Sequence, residues 1–122
     1  MSETVYTPEI IRMVLEMTVK ENLTENVRVD YSSAASNYRI SVWKKGISAG
    51  AVIRTEKQGI SGWKNMVRTF ENYCRDLKKS VNTMDADAHI TLMVLNDLNP
   101  EHTLLTVTDG AAVYDFLKKP DS

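Results

Sequence analysis

Apolar residues return at two different rhythms along this chain, and the change of rhythm divides it into helices and strands. After Thr7 and Pro8, apolar positions recur at three- and four-residue steps through Ile10, Ile11, Val14, Leu15, Thr18 and Val19. Thr7 suits the cap of a helix, Pro8 its first position, and Glu9 the positive end of its dipole. The spacing predicts a helix over 8–23 with those six residues as its buried stripe and Glu16 and Lys20 as an exposed pair.

Three segments of period two follow. Val27, Val29 and Tyr31 alternate with Arg28, Asp30 and Ser32, and Tyr38, Ile40 and Val42 alternate with Arg39, Ser41 and Trp43. Beyond Lys44-Lys45-Gly46, Ile47, Ala49, Ala51 and Ile53 alternate with Ser48, Gly50, Val52 and Arg54, which predicts a three-stranded meander. The helical rhythm then returns more strongly in Trp63, Met66, Val67, Phe70, Cys74, Leu77 and Val81. A strand at His89–Asn96, apolar on both faces, is followed by strands at Thr103–Thr108 and Ala111–Leu117, the last two joined by the hairpin signal Asp109-Gly110.

The predicted order is αβββαβββ. The expected fold class is α+β: a single domain over 1–122, with an antiparallel sheet of five to six strands packed on two amphipathic helices. Shifting the chain by 64 residues aligns Val27 with Thr91, Ile40 with Leu104 and Gly46 with Gly110, but identity is almost absent and the repeat is one of architecture only.

Composition narrows the function classes. With 43% hydrophobic and 25% charged residues in 122, the chain is an ordinary globular one. A formal charge of −1, from 15 basic and 16 acidic residues, supplies no global field for nucleic acid or anionic lipid. The distribution is uneven: net +1 over 1–55 (seven basic, six acidic), +3 over 56–81 (six, three) and −5 over 82–122 (two, seven). The one cysteine, Cys74, excludes an internal disulfide and any multi-cysteine metal site, and its place on the helical stripe reads as core packing. The start has no basic leader and no eighteen apolar residues run together, so the expectation is a cytoplasmic protein without a membrane partner.

No phosphate-cradling glycine loop, nucleophile elbow, HExxH or CxxC pair is present, which points to a non-catalytic role with no cofactor and no metal. Asp85, Asp87 and His89 alternate as metal ligands on a strand would, although short acids in a connector more often make turns. Asp97, Asn99 and Glu101 lack the glycine and the closing glutamate of a calcium loop.

The alternation leaves a second face on the sheet. If Tyr38, Ile40 and Val42 meet the helices, Ser41 and Trp43 point away, Val52 follows by the same count, and Ile90, Leu92 and Val94 add apolar surface from a strand hydrophobic on both sides. The expected function is a small protein-interaction module, whether a homodimer, an adaptor or an inhibitor of another macromolecule, binding a protein partner or a second copy through that face or an exposed edge strand.

The alternative is nucleic-acid binding through the helical stripe Lys64, Arg68, Arg75 and Lys79. In element order alone, residues 8–81 resemble the double-stranded RNA-binding domain, whose second helix opens with phosphate-binding lysines; here that start reads Ser61-Gly62-Trp63-Lys64-Asn65, without the cluster. An enzyme or small-ligand role would need a pocket joining His89 or His102 to acids such as Asp85 or Asp115.

Overall fold

The computed structural model describes residues 6–43 and 59–116. Helix α1 spans Pro8–Asn22. Thr7 is extended, with φ −74° and ψ 157°, and its hydroxyl accepts the Ile10 N–H at 3.3 Å, satisfying one donor that the first turn cannot pair internally. Strands β1 (Val27–Ser32) and β2 (Asn37–Val42) follow, then helix α2 (Gly59–Asn82), and then β3 (His89–Asn96), β4 (Asn99–Thr108) and β5 (Ala111–Asp115).

The architecture is α+β, but the sheet is mixed rather than antiparallel. Its order is β1-β2-β3-β4-β5, antiparallel throughout except between β2 and β3, which run parallel with Tyr38 opposite Ile90, Ile40 opposite Leu92 and Val42 opposite Val94. β2 has β1 along one edge and β3 along the other, so it offers no edge to the third strand of a meander. The strand expected at 47–53, with Val52, lies outside the described residues, as does the end of the last strand at Leu117. A parallel neighbour requires the chain to return to the end of the sheet from which it set out. The 24 residues of α2, about 36 Å of helix, make much of that return. The third of the three strands on which the resemblance to the RNA-binding domain rested lies outside the described residues.

One core fills the space between the helices and the sheet. Ile11, Leu15 and Val19 of α1 and Phe70, Cys74, Leu77 and Val81 of α2 pack with Val29, Tyr38, Ile40, Val42, Ile90, Leu92, Val94, Leu105 and Val107 of the sheet. Ile90, Leu92 and Val94 are 0%, 0% and 1% exposed, which takes them out of any interface. Their register with Tyr38, Ile40 and Val42 places them on the helix-covered face.

The opposite side of the central strands is polar and small. It carries Ser41 and Thr91, both buried, and Thr91 exchanges hydrogen bonds with Asn37 at 3.0 and 3.2 Å. The double-sided apolar character of β3 is shared between core residues and half-buried Met93 and Leu95.

The stripe of α1 is narrower than expected. Ile10 is exposed and Val14 and Thr18 are half-buried, because α1 meets the sheet chiefly along β1, its first strand. Thr24 ties the exit of this helix to the end of β2: its hydroxyl donates to the Trp43 carbonyl at 3.0 Å and accepts the Asn26 N–H at 3.1 Å, while Trp43 N–H donates to the Asn26 carbonyl at 3.1 Å. Trp43 is thereby fixed at the sheet margin, half-buried.

Tyr38 is wholly buried beside Tyr31, the ring centroids 4.6 Å apart and the planes tilted by 36°. Its hydroxyl meets no hydrogen-bond partner among the described residues. Burial, with smaller contributions from Tyr31 and Asp85, pushes its pKa from 10.0 up to about 12. An unsatisfied buried hydroxyl costs about 1–3 kcal/mol, so Tyr38→Phe is expected to leave stability at pH 7 unchanged or raise it by about 1 kcal/mol in urea titrations. The unfolded phenol ionises near 10.0 and the folded one only near 12, so the stability tied to the neutral form is present below 10.0 and lost as pH rises toward 12. Tyr38→Phe should flatten that alkaline loss, and an identical alkaline profile in the two proteins would refute the assignment.

Candidate interaction site beside strand β5

The basic stripe of α2 does not face open solvent along its whole length. Lys64, Arg68, Arg75 and Lys79 are all exposed, and Glu71 lies in line with them because residues three, four and seven apart share one helix face. That face runs alongside β5 and the turn that precedes it. Glu71 Oε2 accepts the Ala112 N–H at 3.0 Å. Arg75, held by Asn72 Oδ1 at 2.9 Å, lies over Gly110, where an added methyl group would collide with the arginine side chain. The middle of the stripe is therefore committed to the sheet margin, and Lys64 and Arg68 on the one hand and Lys79 on the other are separated by an acid.

Between α2 and β5 lies a groove of about 490 Å³, lined by Lys64, Val67, Arg68 and Glu71 from the helix and by Ala112, Val113, Tyr114 and Asp115 from the strand. Among the described strands β5 is an edge of the five-stranded sheet, and Ala111, Ala112, Val113 and Tyr114 are all exposed. The register of β4 with β5 shifts after Thr106, so that Thr106 pairs with Tyr114 but Val107 with Ala112. The extra residue is Val113, which the irregularity leaves 64% exposed. Neither Lys64 nor Arg68 has an ion-pair partner among the described residues. Two cations, the carboxylates of Glu71 and Asp115 and an apolar strand thus converge on one groove.

The turn that sets the start of β5 is held electrostatically. Asp109 has φ +52° and Gly110 φ +93°, the left-handed region that Asp tolerates and Gly prefers. Asp109 Oδ1 accepts the Ile90 N–H at 3.0 Å and Oδ2 lies 2.8 Å from His89 Nδ1, while the Asp109 N–H donates to the Ile90 carbonyl at 2.8 Å. Burial pushes the Asp109 carboxyl up, but the Ile90 amide, His89 and Lys78 together outweigh it and hold its pKa below the ordinary 3.8. Cys74 sits below this turn in the core, its Sγ 3.9 Å from the Ile90 carbonyl and 3.8 Å from that of Val107, and burial pushes its thiol pKa up.

The metal candidates do not come together. Asp85 Oδ1 accepts the Asp87 N–H at 3.1 Å, a local turn, and His89 is turned to Asp109. Among the described residues no group of three or more His, Cys, Asp and Glu side chains is placed to hold a metal ion. His102 lies 3.4 Å from Asn99 Nδ2 and lines a separate hollow with Glu101, Thr103, Thr106 and Tyr114, to which neither Asp85 nor Asp115 contributes. Among the described residues no helix is long and apolar enough to cross a membrane.

Of the side chains expected on the interaction face, Trp43 is half-buried at the margin, Ser41 is buried, Val52 is outside the described residues, and Ile90, Leu92 and Val94 are in the core. Glu71, Val113 and Tyr114 escaped the sequence reading. The only sign of them was the apolar pair at the end of a strand that follows a hairpin turn.

The Asp109 carboxylate stabilises the fold above 3.8, and this contribution is lost as pH falls through its depressed folded value. Asp109→Asn keeps the left-handed backbone and is expected to cost on the order of 1 kcal/mol at pH 7, reduced by partial exposure, with the difference from the parent closing below pH 3.8 in acid titrations. A difference that persists or grows in acid would show that the carboxylate charge is not the stabilising element.

Comparisons of the chain with protein-family models, with curated proteins and with solved structures return no match.

Proposed function

We propose that this protein is a small non-catalytic protein-interaction module, and that its docking site is the groove between α2 and β5. The observation that carries this reading is the edge strand itself: four successive exposed residues, Val113 and Tyr114 among them, beside two cations that have no ion-pair partner among the described residues. An extended segment of another protein added along such an edge gains main-chain hydrogen bonds from the strand and specificity from side chains that alternate into the groove. The contact of Glu71 with Ala112 supplies an internal example, since a carboxylate already satisfies one amide of β5. It also blunts the edge near the turn, so an incoming strand would engage β5 at Val113 and Tyr114, on the side of Lys64 and Arg68. The charge of that stretch selects an acidic segment, because opposite potentials steer encounter and fix register.

Phage-displayed peptides selected on the full chain are expected to be enriched in aliphatic or β-branched residues with Asp or Glu. The selected peptides should bind more weakly as salt rises and lose roughly tenfold or more in affinity to a Lys64→Glu/Arg68→Glu variant. Selection without acidic enrichment, or affinity unchanged in that variant, overturns the groove as the site. Salt-dependent capture of oligonucleotides that falls equally on charge reversal at Lys64, Arg68, Arg75 or Lys79 would replace this reading with nucleic-acid binding.

A further inference from the structure

Helix α1 is apolar along two opposite lines. Ile11, Leu15 and Val19 face the core. Tyr6, Ile10, Met13 and Met17 are 41%, 43%, 60% and 58% exposed. Tyr6 precedes the helix, and the steps between Ile10, Met13 and Met17 are three and four residues, so on a helix of 3.6 residues per turn these three fall on one side, opposite the core line. Single exposed apolar residues are ordinary on a protein surface. A row of them in heptad order is different, because it is the seam by which one helix packs against another. Two of the four are methionines, whose unbranched, polarisable side chains adapt to the surface they meet.

The flanks of the seam identify its occupant. With Ile10 and Met17 at the a positions and Met13 at d, the g positions are Glu9 and Glu16 and the e positions are Val14 and Glu21. No e or g position carries a basic residue. Lys20 continues the seam at the next d position and is held by Glu16 at 3.0 Å. Antiparallel docking of a second copy would bring g against g, Glu9 opposite Glu16 of the other chain. Parallel docking would bring g against e, Glu16 opposite Glu21. Like charges meet in both, offset only in part by the pairing of Glu16 with Lys20, which disfavours self-association.

We propose that the outward seam of α1 binds an amphipathic helix of a partner protein, with aliphatic residues on its a and d positions and Lys or Arg on its flanks. The apolar seam covers only about one heptad, so binding is modest in strength and sensitive to salt. It involves neither β5 nor Lys64 and Arg68, and it stands whether or not the groove binds a peptide.

The test uses the full chain and two labelled synthetic helical peptides of about 21 residues, three heptads, with Leu at a and d and either Lys or Glu at e and g. By fluorescence anisotropy the Lys-flanked peptide is expected to bind, with affinity falling about tenfold between low salt and molar salt. The Glu-flanked peptide should bind at least roughly tenfold more weakly. Ile10→Asp/Met13→Asp, and independently the milder Met13→Gln/Met17→Gln, should reduce binding with the circular dichroism spectrum unchanged, while Lys64→Glu/Arg68→Glu retains it. Equal binding of the two peptides, binding of neither, or binding indifferent to both seam variants overturns the proposal. Light scattering that shows a dimer converted to monomer by the seam variants would overturn it in favour of a second copy.

Discussion

The parallel ladder between β2 and β3 is the contact on which the rest of the molecule depends. Its six residue pairs, from Asn37 with His89 to Val42 with Val94, join two parts of the chain that are separated by about fifty positions and by the whole of α2. On one side of it β1 and β2 form a hairpin under α1, and on the other β3, β4 and β5 form a meander under α2. The ladder lays Tyr38, Ile40 and Val42 directly beside Ile90, Leu92 and Val94, and these six side chains are the centre of the core. Neither part has enough apolar surface of its own to cover both its helix and its strands, so the pairing turns two incomplete units into one packed layer.

Where the ladder places the aliphatic residues decides what remains outside. The core takes the even-numbered residues of β3 and leaves the buried Thr91 and half-buried Met93 on the far side, next to the buried Ser41 of β2. That far side is closer to a threonine-and-serine sheet than to an apolar platform. Among the described residues the large exposed apolar side chains are instead on the strand farthest from α1, along the outer line of α1 with Tyr6 before it, and at Leu98 in the turn between β3 and β4. The two proposed surfaces differ in kind. One offers strand amides with cations and suits an extended acidic chain, and the other offers a helical seam with carboxylate flanks and suits a basic helix.

Much of the secondary structure was legible in the chain. The Thr7-Pro8-Glu9 start, the α2 stripe from Met66 to Val81, the alternation of β1 and β2, the whole of β3 and the Asp109-Gly110 turn all follow from local chemistry. Caps, turn residues and the periods of two and 3.6 act within a few positions of one another, and a sequence shows such relations directly. The spacing of Ile10, Met13 and Met17 was also present to be read, but on a helix with apolar residues on two sides spacing alone does not show which line faces the core, and Ile10 was placed with the wrong one. The groove was less visible, because Glu71 and Ala112 lie 41 residues apart and meet only when β5 and α2 lie side by side.

The sequence by itself determined where the helices and strands lie, how their ends are capped and which residues are fit to be buried, because those properties come from the local backbone and from side-chain polarity. Only the tertiary structure decided which neighbour β2 takes, that Ile90, Leu92 and Val94 face the helices while Tyr6, Met13 and Met17 face outward, and that the basic stripe is interrupted at the sheet margin. The physical reason is that strand pairing and face choice are settled by the total apolar area removed from water, a sum over residues distant in the chain that no local pattern contains.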